Sequence, residues 1–117
     1  MNALLKSLPE KFILEIVNGP DKGAQFQIMP GDIRIGRGEG NDIVLNDPRC
    51  SRDHVILRIT NQSILIENLS ENNSLTVDGQ IGQKAFVANN SKIIIGTTTF
   101  IFKRLGSNLQ ENKRPSL

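Results

Sequence analysis

Between Phe12 and Leu105 the chain breaks into short apolar runs separated by Gly, Asn, Asp and Pro. Phe12–Val17 (FILEIV) precedes the loop NGPDKG, and Ala24–Ile28 (AQFQI) alternates up to the break MPGD. Ile33–Gly36 (IRIG) and Asp42–Leu45 (DIVL) flank a glycine-rich turn. His54–Thr60 places Val55, Leu57 and Ile59 on one face, and NQ turns the chain into Ser63–Leu69. Leu75–Val77 runs into Asp78-Gly79, a strong hairpin signal because both central residues of such a turn need positive φ. KAFV, KIIIG and TTTFIFKRL complete the series. Between residues 11 and 105 no window keeps a helical period across three turns. The pattern therefore predicts an all-β fold, a sandwich or barrel of about eleven short strands.

The ends differ from this pattern. Asn2–Leu8 could form two turns of helix before Pro9, so residues 1–10 are expected to be an N-terminal extension. Residues 106–117 are polar and read as a flexible tail or linker after a domain spanning 11–105. With 117 residues the chain can bury one core but not two. A net charge of +2 is too small for the electrostatic footprint of a duplex-binding protein. A single cysteine excludes an internal disulfide and a four-cysteine metal site. The start MNALLKSLPEK lacks the apolar core of a signal peptide, and no run approaches the ~20 apolar residues that span a bilayer. A cytoplasmic domain with no membrane contact of its own is expected. All five aromatic residues are Phe: Phe12, Phe26, Phe86, Phe100 and Phe102. Each lies in an apolar run and is expected in the core, leaving no stacking platform for nucleic acid.

Asp47–His54, DPRCSRDH, holds the chain's one cysteine and one histidine beside a serine, two aspartates and two arginines. A catalytic reading would make Ser51 or Cys50 a nucleophile and His54 its base. Triads assemble through tertiary structure rather than three-residue spacing, and the flanks lack the Gly-x-Ser-x-Gly elbow. One His and one Cys fall short of the usual ligand count for zinc. Cys50, entering an alternating strand, fits a small buried residue better. No catalytic residue, metal or cofactor is expected.

Upstream, IGRGEGNDIVL places Arg37 on a turn punctuated by Gly36, Gly38 and Gly40. It lacks the Lys and helix of a nucleotide-binding P-loop, and no βαβ unit surrounds it. An arginine fork on a glycine turn suits phosphate oxygens, and Ser51 and Arg52 offer a hydroxyl and a second guanidinium. Arg34 and Arg49 add positive charge nearby.

Gly36-Arg37, Asn41-Asp42-Ile43, Leu45, Asp47, Ser51-Arg52, His54, Asn73 and Val77-Asp78-Gly79 occur in that order. The pattern resembles the forkhead-associated (FHA) domain family from about Phe12 to Phe102. The resemblance implies a sandwich of about eleven mainly antiparallel strands that binds phosphothreonine peptides through loops at one end. It assigns phosphate contacts to Arg37, Ser51 and Arg52, and the peptide backbone to Asn73. Asn72 stands at a threonine of the family's phosphate loop. Gly36 and His54 become structural supports of the loops. Ser70–Ser74, SENNS, departs from the family's Gly-Ser-Thr-Asn-Gly. Ser74 would be strained if that position requires positive φ, and Glu71 adds a negative charge near the site.

The expected function is phosphothreonine-dependent recognition of a partner protein in signalling, without catalysis. The alternative is a degenerate FHA-like domain that holds its partners without phosphate, as a structural part of a larger assembly. Residues 1–10 and 106–117 contain serine but no threonine, so the ligand is expected from another chain or another region.

Overall fold

In the computed structural model, which describes residues 11–60 and 62–105, every regular element is a strand. The expectations for residues 1–10 and 106–117 lie outside the described residues. In chain order the strands are β1 (Lys11–Asn18), β2 (Gln25–Ile28), β3 (Gly31–Gly36), β4 (Ile43–Val44), β5 (Val55–Ile59) and β6 (Ile64–Asn68). They continue with β7 (Leu75–Val77), β8 (Gln80–Ile81), β9 (Lys84–Phe86), β10 (Lys92–Ile95) and β11 (Thr98–Leu105). No helix among the described residues is long and apolar enough to cross a membrane.

Alternation makes each strand two-faced, and the apolar faces have to meet. A six-stranded sheet of order β2-β1-β11-β10-β7-β8 lies against a five-stranded sheet of order β4-β3-β5-β6-β9. Leu14, Ile16, Phe100 and Phe102 of the first sheet share one core with Ile35, Val55, Leu57 and Ile66 of the second. The Phe12 and Phe102 rings stack at 5.9 Å between centroids. Fully burying one such side chain contributes about 2 kcal/mol. The pairings are antiparallel except β3 with β4, which run parallel through Ile35↔Ile43 and Gly36↔Val44. Parallel neighbours usually need a crossover of about a dozen residues or more. Here residues 37–42 make the return, and this tight course shapes one wall of the site.

The Asp78-Gly79 turn forms as the sequence predicts, with φ of 50° and 86°. It pairs β7 with β8, a two-residue strand that hydrophobic patterning did not mark out. Of the five phenylalanines, Phe12, Phe100 and Phe102 are buried, and Phe26 is half-buried against the core. Phe86 corrects the expectation: it is 74% exposed. The reason is register on a short edge strand. Ala85 sits opposite buried Ile66 on the inner face, which sends Phe86, opposite Leu65, to the outer one.

Candidate functional site

The segments 37–42, 45–54 and 69–74 meet at one end of the sandwich, beside the turn at Gly96 and Thr97. The meeting begins with glycine. A Cβ at Gly36 would overlap the Arg52 carbonyl oxygen and come 3.0 Å from Asn41 Nδ2. Without one, the two segments run side by side. The Arg37 N–H donates to the Ser51 carbonyl at 3.0 Å and the Gly38 N–H to the Arg52 carbonyl at 3.0 Å. Asn41 Nδ2 seals the junction, donating to the Gly38 carbonyl at 2.8 Å and the Arg52 carbonyl at 2.6 Å.

This backbone arrangement aims the charges. Arg37 Nε donates to the Cys50 carbonyl at 3.0 Å, which fixes the guanidinium plane. Its two Nη groups carry no hydrogen bond or ion pair to the described residues. Arg52 is exposed, and its guanidinium likewise has no hydrogen bond or ion pair among the described residues. Arg58 is the contrast: Asp32 and Glu67 engage it at 3.3 and 3.2 Å on the outer sheet face. Arginines without partners among the described residues, near a hydroxyl, have the chemistry that suits an anion. Arg34 lies further back on β3, and Arg49 packs its backbone near Gly96, where a Cβ would come 3.1 Å from the Arg49 carbonyl carbon.

Asp47 supports this wall from beneath. It is fully buried, yet its Oδ2 accepts from the Thr97 N–H at 2.8 Å and from the Thr97 and Thr98 hydroxyls at 2.9 and 2.7 Å. Its Oδ1 accepts from the Arg49 N–H at 2.9 Å. Burial alone would raise its pKa; the donors from Thr98, Arg49 and Thr97 outweigh that and hold it at about 2. Sequence reasoning placed Asp47 in the quoted motif but missed its partners Thr97 and Thr98, fifty residues away, and Gly96, where a Cβ would meet the Asp47 carboxylate at 2.9 Å.

His54 is fully buried behind the two loops. The Ser51 N–H donates to its Nδ1 at 3.2 Å. Nε2 therefore carries the proton and donates to the Ser74 carbonyl at 3.0 Å. Burial lowers its pKa, against opposing effects from Ser74 and the Asp47 charge. One ring thus bridges the two sides of the site. The imidazole meets the Ser51 backbone, not its hydroxyl, so it is not poised as a base for Ser51. Burial first, and then the Asp47 charge, push the Cys50 thiol up to about 12, far from a reactive thiolate.

The opposite side is the 69–74 loop. Asn73 Nδ2 donates to Ser51 Oγ at 2.7 Å, so these two residues, distant in sequence, meet. Ser51 Oγ also lies 2.6 Å from Ser70 Oγ. Asn72 contributes its N–H to Ser70 Oγ at 3.2 Å, and its exposed side chain has no hydrogen bond among the described residues. Asn68 closes the loop from below, donating to the Asn73 carbonyl at 3.0 Å. Ser74 does not have positive φ, so the feared strain is absent; its carbonyl is instead the acceptor for His54. Sequence reasoning named neither Ser70, Asn41 nor Asn68 as a site residue. Asn41 stood in the quoted motif, but Ser70 carried no signal beyond its place in a polar loop.

Comparison with known proteins agrees with this architecture. The family described as "Inner membrane component of T3SS, cytoplasmic domain" matches residues 15–106. The FHA domain of the CT664 protein from Chlamydia trachomatis is 32% identical, covering 80% of this chain and 96% of that one, with a TM-score of 0.74. A structure reported under phosphothreonine-dependent FHA domain interactions is 27% identical over 80% of this chain and 95% of its own, with a TM-score of 0.72. The glycogen accumulation regulator GarA of Mycobacterium tuberculosis is 27% identical over 94 residues, 80% of this chain. The chain spans 58% of the length of that curated relative. The loops that Gly36, Asp47 and His54 hold together are therefore those of a forkhead-associated domain, and the chain belongs to the FHA-type family of T3SS inner-membrane-component cytoplasmic domains.

Proposed function

We propose that this domain is a cytoplasmic, non-catalytic module that binds threonine-phosphorylated segments of a partner protein. The observation that carries the reading is Arg37: its Nε is tied to the Cys50 carbonyl while both Nη groups have no partner among the described residues, and its backbone is bonded to Ser51. A phosphothreonine brings nearly two negative charges and three strong acceptor oxygens. Arg37 would meet it with a bidentate fork, Ser51 with its hydroxyl and Arg52 with a second cation. Asn72 and Asn73 line the opposite side, where Asn73 would hold the peptide backbone through its side-chain carbonyl while its Nδ2 keeps the bond to Ser51. Gly36 and His54 keep the two sides at their spacing. The relative reported for phosphothreonine-dependent interactions supports this reading.

A second reading is favoured by the family match: the domain is a structural part of a secretion assembly and holds its neighbours without phosphate. Calorimetric titration separates the two. Phosphothreonine, phosphoserine and unmodified forms of one peptide are titrated into wild type and Arg37→Ala. Phosphothreonine should bind in the micromolar range, roughly −8 kcal/mol. Losing the methyl contact should weaken phosphoserine about tenfold or more. Arg37→Ala should weaken the phosphothreonine peptide by about 2 kcal/mol with little change in melting temperature. Equal binding of plain and phosphorylated peptides refutes the phosphothreonine reading in favour of the structural one.

A further inference from the structure

We propose that Ser70 is the positioning residue that sets Ser51 as a hydrogen-bond donor to phosphate. The inference rests on the phosphothreonine reading and deepens it. A serine hydroxyl has one proton to give and two lone pairs to fill. Ser70 Oγ receives the Asn73 N–H at 2.9 Å and the Asn72 N–H at 3.2 Å. Both lone pairs are then engaged, so its proton goes to Ser51 Oγ, 2.6 Å away. Ser51 Oγ also receives Asn73 Nδ2 at 2.7 Å. Its own lone pairs are in turn filled, and its proton has no acceptor among the described residues. Ser51 is half-buried, so that proton faces the open side of the site.

The loop backbone thus dictates a one-way chain of donors: Asn72 and Asn73 N–H to Ser70, Ser70 to Ser51, and Ser51 outward. Such a chain has two consequences. Ser51 is presented as a donor before any ligand arrives, so its hydroxyl need not reorient on binding. Each bond polarises the next, which makes the final O–H a better donor to an anion. Without the Ser70 hydroxyl, Ser51 has a free lone pair and its proton is free to rotate.

The test is a double-mutant cycle with the phosphothreonine peptide on wild type, Ser51→Ala, Ser70→Ala and the double variant, with melting temperatures recorded alongside. Ser51→Ala should weaken binding about tenfold, and Ser70→Ala about fivefold, the size of one altered charged hydrogen bond. The double variant should bind no more weakly than Ser51→Ala, because Ser70 acts through Ser51. Ser70→Thr, which keeps the hydroxyl, should bind like wild type. Ser70→Cys, of similar size but a weak donor, should bind like Ser70→Ala and serves if the alanine variant is unfolded. Losses that multiply in the double variant show a merely structural role and overturn the proposal. So does Ser70→Ala or Ser70→Cys binding like wild type. Wild type that ignores phosphorylation instead overturns the underlying phosphothreonine reading, an outcome distinct from an indifferent Ser70.

Discussion

Residues 36–54 and residues 68–74 furnish opposite sides of one site, but they are held by different means. The first side is built into the sandwich. Backbone bonds join Arg37 to Ser51 and Gly38 to Arg52, Asn41 seals the seam, and Asp47 ties the loop to Thr97 and Thr98. The second side is exposed from Glu71 to Ser74 and is held by side chains: Asn68 from below, His54 from behind, and Ser51 through Ser70 and Asn73. The arginine side is therefore rigidly mounted. The asparagine side owes its geometry to a few hydroxyl and amide bonds. Damage to the buried supports of the first side, Asp47 and His54, should appear as lost stability, whereas damage to the outward-facing Arg37 and Ser51 or to the second side should appear as lost affinity.

Asp47→Ala is the strongest way to break that division. It strips acceptors from the Thr97 and Arg49 N–H groups and from two hydroxyls. An unsatisfied buried donor costs about 1–3 kcal/mol, so a total near 3 kcal/mol is expected, visible as a melting temperature at least about 10 °C lower. Unchanged stability would show that the carboxylate does not anchor the loop.

His54→Ala comes next, at about 2 kcal/mol, because it deprives the Ser51 N–H and the Ser74 carbonyl of partners and leaves a gap. The same residue gives stability a pH dependence. An unfolded histidine takes up a proton near 6.5, while burial lowers the native value. Its contribution is thus complete above pH 6.5 and is lost as the pH falls toward the native value. Asp47 acts lower: its contribution, about 2 kcal/mol, is present above 3.8 and is lost as the pH falls toward about 2. Melting curves from pH 7 to pH 2 should show both declines, and the first should vanish in His54→Ala.

The smallest effect belongs to the second side. Glu71→Gln removes a negative charge from an exposed loop beside the anion site, and should raise phosphopeptide affinity about twofold at low salt. The gain should fade at high salt while the melting temperature stays put.

The parts legible in the sequence were those with local causes. Period-2 alternation marked nearly every strand, and Asp78-Gly79 marked its hairpin. Gly36-Arg37 and Ser51-Arg52 were legible because a glycine junction and an arginine fork are read residue by residue. What was not legible depends on distant partners. Nothing near Thr97 or Thr98 announces a carboxylate from Asp47, and Gly96 looks like any turn glycine. Phe86 misled because an apolar run does not say which face an edge strand turns outward. Ser70 occupies a position where the family motif has glycine, so motif comparison gave its hydroxyl no role; only the directions of its hydrogen bonds do.

Amide chemical-shift mapping with a phosphothreonine peptide and its unmodified twin probes both sides of the site at once. The phosphorylated form should shift Arg37, Gly38, Ser51 and Arg52 together with Ser70, Asn72 and Asn73, and leave the exposed Ile81 and Phe86 region unmoved, while the unmodified twin shifts none of them. Identical shifts from the two peptides, or phosphate-dependent shifts confined to Ile81–Phe86, would show that the loops gathered around Arg37 and Ser51 are not a phosphothreonine site.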